Sequence, residues 1–324
     1  MKELDKTIKI TGGCGRVICA LPAVEEYCKQ NPDIKVNLVA AWVEPVLNNS
    51  VVYRKYHEGH AYLWQDVIKN TELINPEPYE DYEYYNQKIH IIQSFYKNLG
   101  LAVPKDIPRP KLHVSRNEVE GINNYFKIIR QKLGGTKPII VFQPFGQGAR
   151  FEKGEIVDES NRALKITTVN KILEALEKNY HVLLMTTLDI PILHKYKIEY
   201  PKFPLRNWIG IISRCDYVIG ADSVGQHLAY AFEKPGSFFF GGTYPSNLAY
   251  DEHLQFVKGG FPKEYNPMRL PSNELNTMPI FNEGAMDFTE EEDANAVSLI
   301  LNDLDKKFNK KEEVMSLDKL KKEK

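Results

Sequence analysis

Residues 222–227, Asp-Ser-Val-Gly-Gln-His, place an acid, a hydroxyl, a glycine and a histidine between an apolar run and an Ala-rich helical stretch. A helix N-terminus offers free backbone N–H groups and a partial positive charge, so it suits an anion such as a phosphate. We interpret Ser223 as a hydroxyl donor and Gly225 as a point of close backbone approach. Asp222 orients the turn or receives a substrate hydroxyl, and His227 faces the ligand or the turn itself. The alternative, that Asp222 and Ser223 only cap the helix, stays open.

The composition is that of a globular protein. The 324 residues suffice for two domains, and 43% of them are hydrophobic and 26% charged. A formal net charge of -1 predicts no general attraction to nucleic acid or membranes. The four cysteines, at 14, 19, 28 and 215, lack zinc-site spacing, so we expect reduced thiols and no metal site. With no long apolar run and no signal-peptide pattern at the start of the sequence, we expect a cytoplasmic location.

Strands alternate with helices along the chain, which predicts parallel sheets with crossover helices. In the first third we predict a strand at 7–13, a helix at 20–32, a strand at 34–42, and a further strand with its exit loop at 57–69. The fold class is therefore α/β, with two Rossmann-like doubly wound domains. The predicted units are an N-terminal domain at 1–135, a C-terminal domain at 136–288, a helix at 289–308 and a charged tail at 309–324.

The stretch DYVIGADSVGQHLAYAFEKPGSFFFGG at 216–242 resembles the donor-site signature of the heptosyltransferase-like glycosyltransferases, family nine of that classification. That signature is Asp-Ser/Thr-Gly-x-x-His, an Ala-rich helix, Lys-Pro and Phe-Gly. This chain has Val224 in place of the signature glycine, with Gly225 following. The segments GGCGRVICALPAVEEYCKQNPDIKVNLV, NLGLAVPKDIPRPKL and VFQPFGQGARFE also resemble the family, so the likeness extends over most of residues 8–300.

The resemblance implies the GT-B architecture, in which the two domains face a central cleft. It further implies inverting transfer of a sugar from a nucleotide-sugar donor to a hydroxyl of a saccharide or glycan, without a metal or a cofactor. The acceptor would lie on the N-terminal domain. Arg150 or Arg162 would supply a fixed cation for the diphosphate, and Asp189 is placed to receive ribose hydroxyls. The full predicted donor set is Arg150, Arg162, Asp189, Asp222, Ser223, Val224, Gly225 and His227.

The first glycine loop departs from the family pattern. Aligned on Leu21-Pro22-Ala23, the aspartate that serves as general base in the family is Arg16 here, and an arginine stays protonated near neutral pH. We predict Asp66 as the base, with Glu44 as the second choice, although each could be a plain surface carboxylate. The predicted acceptor-side residues are Gly13, Gly15, Arg16, His57 and Tyr79. Tyr79 belongs to the tyrosine-rich segment 76–87, which binds an acceptor or packs on the domain by its rings.

Three other functions remain open from the sequence. One is glycosylation of hydroxymethylated bases in phage-type DNA, for which Arg16, Arg54 and Lys55 would line a basic cleft. Another is a non-catalytic nucleotide-sugar-binding protein, a reading encouraged by Arg16 and Val224. The last is an epimerase or another enzyme that uses sugar nucleotides.

Overall fold

The computed structural model describes residues 5–259 and 284–322, and side chains up to residue 308. Residues 260–283 of the predicted C-terminal domain lie outside the described residues. Eleven strands belong to the described part: β1 Lys6–Ile10, β2 Val36–Ala40, β3 Arg54–His57, β4 Glu72–Ile74, β5 Ile139–Gln143, β6 Arg150–Glu152, β7 Glu155–Val157, β8 His181–Leu184, β9 Tyr217–Ala221, β10 Gly236–Phe240 and β11 Leu254–Val257.

Two parallel sheets form the framework. The N-terminal sheet has the order β3-β2-β1-β4, and the C-terminal sheet has the order β11-β10-β9-β5-β8. Strands β5, β9 and β10 are buried at every position, as expected for parallel strands covered on both faces. Strands β6 and β7 form a separate antiparallel hairpin. These sheets confirm the α/β fold class.

Ten α-helices accompany the sheets in the described part: α1 Cys14–Gln30, α2 Leu63–Asp66, α3 Tyr82–Tyr85, α4 Ile91–Asn98, α5 Arg116–Leu133, α6 Ile166–Leu176, α7 Leu205–Arg214, α8 Val224–Ala231, α9 Pro245–Leu248 and α10 Glu290–Lys322. Short 3-10 turns occur at Glu44–Val46, Ile68–Asn70, Pro78–Glu80 and Pro191–Leu193. Helix α10 continues through most of the segment that was predicted as a charged tail.

Helix α1 begins at Cys14, earlier than the predicted start at residue 20. It therefore includes Gly15 and carries Pro22 in its interior. Glycine and proline disfavour helix interiors, which is why the pattern pointed to a later start. Packing decides otherwise, since most of α1 from Val17 to Glu25 is buried between the sheet and neighbouring helices.

The predicted strand in segment 57–69 is wrong. Strand β3 ends at His57. Residues 61–64, AYLW, which were predicted to be part of the strand, form a turn and the start of the short helix α2. Tyr62 and Trp64 are 63% and 61% exposed, so this apolar stretch has no sheet or core to pack against. Apolar runs of this length do not distinguish strands from helices by periodicity alone.

The two lobes share one buried core. A continuous cluster of buried side chains includes Ile8 and Leu21 of the N-terminal lobe together with Val218 and Leu228 of the C-terminal lobe. Helix α5 packs against α7, so it covers the C-terminal sheet. The domain boundary at Gly135 stays a prediction, with α5 before it in the chain and packed on α7 after it. Helix α1 packs against α8, which brings the N-termini of two helices from different lobes together.

Candidate functional site

The N-terminus of α8 is braced by a glutamine from the neighbouring strand β5. Gln143 Oε1 accepts a hydrogen bond from the Gly225 N–H at 2.7 Å, and Gln143 Nε2 donates to Ser223 Oγ at 3.2 Å. Ser223 stands at the N-cap position but makes no capping hydrogen bond with its side chain. Its hydroxyl and the adjacent Val224 are half-buried rather than enclosed. One N–H of the helix end is thus occupied by protein, and Ser223 with Val224 forms the accessible part.

Asp222 does not point into solvent. Its carboxylate is buried and accepts hydrogen bonds from Gln226 Nε2 and Thr243 Oγ1. Burial raises the pKa of Asp222, while Arg162 and the two hydrogen bonds act in the opposite direction. These contacts tie the end of β9 to the first turn of α8 and to the loop after β10.

His227 contacts the other lobe. Its Nδ1 lies 2.8 Å from the Tyr250 hydroxyl and 3.4 Å from Cys19 Sγ on α1. A Cβ at Gly15 would come within 2.6 Å of the His227 ring, so the absence of a side chain on α1 permits this approach. Burial lowers the pKa of His227 to about 3, with the nearby Arg162 charge acting in the same direction. The imidazole is therefore neutral and serves the contact between the lobes.

The N-terminus of α1 has a different arrangement. Gly13 is the N-cap residue and supplies no side chain, and Gly12 and Gly13 are exposed. Arg16, in the first turn, makes an ion pair with Glu77 in which Nη2 and Oε1 are 2.6 Å apart. Its guanidinium also lies 4.8 Å from the centre of the Tyr79 ring. The Arg16 side chain is only 9% exposed. Neither its Nε nor its Nη2 makes a hydrogen bond of good geometry among the described residues, so the contact with Glu77 is an ion pair.

Arg162 is held at the end of a tight loop of the C-terminal lobe. Both oxygens of Asp158 accept backbone hydrogen bonds, from Ser160 N at 2.9 Å and from Ala163 N at 2.9 Å. Ser160 Oγ then accepts from Arg162 Nε at 3.1 Å. A Cβ at Gly242 would lie 1.9 Å from the Ser160 carbonyl oxygen and 3.0 Å from Arg162 Cγ, so only glycine allows this loop to approach β10.

Tyr79 lies under the Arg16 guanidinium and within electrostatic reach of Arg162. Burial raises the pKa of the Tyr79 hydroxyl, and the charges of both Arg16 and Arg162 act to lower it, with Asp222 and Glu77 raising it more weakly. The same phenol is thus within electrostatic reach of charged groups from both lobes. Tyr79 also packs against Tyr84, with ring centres 5.8 Å apart, so the tyrosine-rich segment is held to the domain by its rings.

The other predicted residues, apart from Glu44, are exposed and paired with neighbouring side chains or backbone. Arg150 is on the β6-β7 hairpin, 57% exposed and paired with Glu152 and Glu159. Asp189 is 67% exposed and 3.0 Å from His194 Nε2. Exposed residues of the N-terminal lobe complete the set: Asp66 pairs with His60 at 3.4 Å, and His57 Nδ1 accepts the Gly59 N–H at 2.9 Å.

Glu44 occupies the turn after β2. Its backbone carbonyl accepts a hydrogen bond from Arg206 Nη1 at 2.9 Å, which ties this turn to α7 of the other lobe. Its carboxylate lies near enough to Cys14 to contribute, after burial, to raising the pKa of that thiol. Glu44 is therefore close to the start of α1 and half-buried.

Sequence reasoning missed three residues of the cluster: Glu77, Gln143 and Asp158. Gln143 ends the apolar strand β5, and polar residues at the carboxyl ends of parallel strands are a recognisable signal. Asp158, two residues before Ser160, has the spacing of a side chain that bonds to its own turn. Nothing local marks Glu77, because its partner Arg16 is far away in sequence.

The described residues contain neither a group of metal ligands nor a helix that could span a membrane. Within 5–259 and 284–322, no three His, Cys, Asp or Glu side chains are grouped so that they could hold a metal ion. Across the same residues, no helix combines the length and apolar character needed to cross a membrane.

Solved structures with similar folds are glycosyltransferases. A family 9 glycosyltransferase from Veillonella parvula has 14% identity and a TM-score of 0.58, covering 79% of this chain and 87% of its own. The iron-containing dodecameric glycosyltransferase TibC from enterotoxigenic E. coli has 13% identity and a TM-score of 0.59, covering 94% and 78%. ADP-heptose LPS heptosyltransferase II from E. coli has 14% identity and a TM-score of 0.53, covering 91% and 99%.

No family model matches the chain, and no curated protein matches it. The structural likeness, at these low identities, concerns the fold. It agrees with two parallel sheets whose lobes meet at the N-termini of α1 and α8. The chain therefore has the GT-B fold found in family 9 glycosyltransferases and heptosyltransferases.

Proposed function

We propose that this protein is an inverting glycosyltransferase that moves a sugar from a nucleotide-sugar donor to a hydroxyl of a saccharide or glycan. The observation that carries the proposal is the packing of α1 against α8 across the lobes, where Gly15 lies against His227 and Ser223 marks the accessible end of α8. Arg16 lies over Tyr79, and Arg162 is within electrostatic reach of the same ring. The similar structures support the same class, since TibC is described in complex with ADP-D-β-D-heptose.

The chemistry requires stabilisation of a departing nucleoside diphosphate. When the bond between the sugar and the diphosphate breaks, negative charge grows on the phosphate oxygens, and fixed donors aimed at that charge lower the barrier. Arg162 is held by Ser160 and has no carboxylate partner among the described ion pairs, which leaves its terminal nitrogens for the diphosphate. Ser223 Oγ and the Val224 end of α8 add a hydroxyl and the positive end of a helix dipole.

The remaining predicted donor residues have supporting roles in this proposal. Gly225, Asp222 and His227 hold the end of α8 in place through Gln143, Thr243 and Tyr250. Asp189, at the carboxyl end of the C-terminal sheet, remains a predicted ribose contact. Arg150 is neutralised by two glutamates, so Arg162 is the better supported cation.

The acceptor is proposed to be a saccharide that enters from the N-terminal lobe, near Gly13 and His57. The similar structures are named for the transfer of sugars, which favours a glycan over a base in DNA. We propose that transfer needs no metal, because the Arg162 guanidinium and the N-terminus of α8 supply positive charge where a cation would. A cytoplasmic location fits a nucleotide-sugar donor and stays a proposal.

A thermal-shift panel of UDP-, GDP-, ADP- and CMP-linked sugars tests the donor site. A ligand that binds only the folded state raises the melting temperature, and we expect one nucleotide class to do so. Arg162→Met should then weaken the affinity for that nucleoside diphosphate by about 10- to 100-fold, the cost of one or two charge-assisted hydrogen bonds. The matched control Arg150→Met should change the affinity by less than about twofold, because exposed ion pairs contribute little.

Equal effects of the two substitutions would contradict the assignment of the cation to Arg162. A panel without any stabilising sugar nucleotide would count against the proposed function as a whole. Release of nucleoside diphosphate distinguishes an enzyme from a non-catalytic binding protein, which would bind the donor without turning it over.

A further inference from the structure

Glu77 is a carboxylate beside the N-terminus of α1 that no sequence motif predicts. It follows β4, whose partner in the N-terminal sheet is β1, so its position corresponds to the carboxyl end of the strand beside Thr11 and the glycine loop. In a parallel sheet this edge is where ligands bind. Its side chain is 18% exposed, compared with 57% for Asp66.

Three contacts fix the Glu77 side chain. Oε1 lies 2.6 Å from Arg16 Nη2 and accepts the Tyr79 N–H at 3.2 Å. Oε2 accepts from Thr11 Oγ1 at 3.5 Å, at the outer limit of hydrogen-bond distances. One oxygen is therefore firmly held, whereas the other has only a weak partner and keeps the capacity to accept a proton.

The carboxylates predicted from sequence are placed less well. Asp66 lies on an exposed one-turn helix and is engaged by His60. Glu44 is held in its turn by a backbone contact with Arg206, and its carboxylate lies within electrostatic reach of Cys14. Among these three, only Glu77 forms an ion pair with Arg16, whose guanidinium lies over the Tyr79 ring.

We propose that Glu77 is the general base of the sugar transfer, an inference that rests on the proposed function. The acceptor oxygen attacks the anomeric carbon and forms the new C–O bond. The bond from that carbon to the phosphate oxygen breaks, and its electron pair leaves with the nucleoside diphosphate. Glu77 Oε2 takes the proton of the acceptor hydroxyl. Arg16 acts as a positioning residue, because its guanidinium holds Oε1 and so directs Oε2.

Hydrolysis of the donor tests this assignment without knowledge of the acceptor, since water then supplies the attacking hydroxyl. The probe is the sugar nucleotide that raises the melting temperature most in the panel above. Glu77→Gln should lower the rate of nucleoside-diphosphate release by about 10²- to 10⁴-fold, the usual contribution of general base catalysis. Donor affinity should stay within about threefold, because the amide can still accept from Arg16 and Tyr79.

Glu80→Gln is the matched control, since Glu80 is an exposed glutamate in the same turn. It should release nucleoside diphosphate at the wild-type rate. The fall of the wild-type rate in acid, which reports protonation of the base, should be absent in Glu77→Gln. A role as counter-ion to Arg16 alone would move donor affinity and melting temperature instead of the rate constant and its pH profile.

The results separate the two proposals. If the wild-type protein releases nucleoside diphosphate and Glu77→Gln does so at a similar rate, Glu77 is not the base and the proposed function stands. Loss of donor affinity with a retained rate constant likewise overturns the base assignment. If the wild-type protein hydrolyses no donor of the panel and transfers no sugar, the proposed function fails, and the role of Glu77 fails with it.

Discussion

The N-termini of α1 and α8 face each other from the two lobes, yet different groups bond to their backbone N–H groups and surround them. Each follows a strand of its own parallel sheet, and the two helices pack against each other. The end of α8 is partly bonded to its own lobe: Gln143 occupies the Gly225 N–H, Asp222 and His227 are buried, and Ser223 with Val224 stays accessible. The end of α1 carries two exposed glycines without a capping side chain, and its charge comes from the Arg16–Glu77 pair.

This difference separates two tasks of the cleft. A helix end that is already bonded to its own lobe presents fixed dipoles, which need no rearrangement when charge develops on a ligand. At the end of α1, the adjacent ion pair instead offers a carboxylate and a guanidinium, which can accept a proton from a ligand or pair with it. Under the proposed function, the C-terminal lobe holds the anion, and the N-terminal lobe contributes the Arg16–Glu77 pair.

Acid should reveal how closed the α8 end is. Burial lowers the pKa of both His227 and His90 to about 3, against an ordinary value near 6.5. Above pH 6.5 neither the folded nor the unfolded state protonates them. As the pH falls from about 6.5 towards 3, only the unfolded chain takes up these protons, and stability decreases by at most about 1.4 kcal/mol per pH unit for each histidine.

Urea unfolding between pH 7 and pH 4.5 measures this loss. His227→Gln should reduce the slope of the unfolding free energy against pH, whatever its absolute stability. An unchanged slope would mean that the α8 end is open to water and the comparison with α1 fails.

Gly15 and Gly13 provide a matched pair on α1. Gly15→Ala places a methyl group against the buried His227 ring and should lower the free energy of unfolding by about 1–3 kcal/mol. Gly13→Ala meets nothing within 4 Å and should change it by less than about 0.5 kcal/mol. Thermal and urea unfolding of both variants check the difference. Similar stabilities would show that the lobes do not meet at this contact.

Gln143→Met should have a smaller effect confined to the α8 end. It keeps the length of the side chain but removes the acceptor for the Gly225 N–H, and we expect a loss of about 1 kcal/mol. Gln255→Met is the control, because Gln255 is exposed and its amide makes only a 3.3 Å bond to the Tyr250 carbonyl. Its unfolding free energy should stay near that of the wild type. Two equal losses would remove Gln143 from its bracing role.

Some of the site could be predicted because its signals are local. Neighbouring residues suffice to predict the apolar strands β5, β9 and β10 and the Asp-Ser-x-Gly turn after β9. Together these patterns predict a polar loop just before α8. The start of α1 could not be read in this way. Gly15 argues against a helix locally, but its lack of a side chain is what the contact with His227 requires. The AYLW stretch was predicted to be a buried strand because it is apolar, but its Tyr62 and Trp64 side chains are exposed. Apolar residues alone do not show whether a core is available to cover them.

The sequence by itself determined two parallel sheets with crossover helices and a polar turn at the head of α8. These follow from hydrophobic periodicity and turn chemistry, which act between residues close in the chain. Only the tertiary structure decided that Gln143 braces α8 and that Glu77 pairs with Arg16. It also showed that Arg150 is paired with two glutamates, whereas Arg162 is held by Ser160. The partners in the Gln143 and Glu77 contacts are about 60 to 80 positions apart in the chain. Local propensity acts only between near neighbours, so tertiary packing alone brings such partners together.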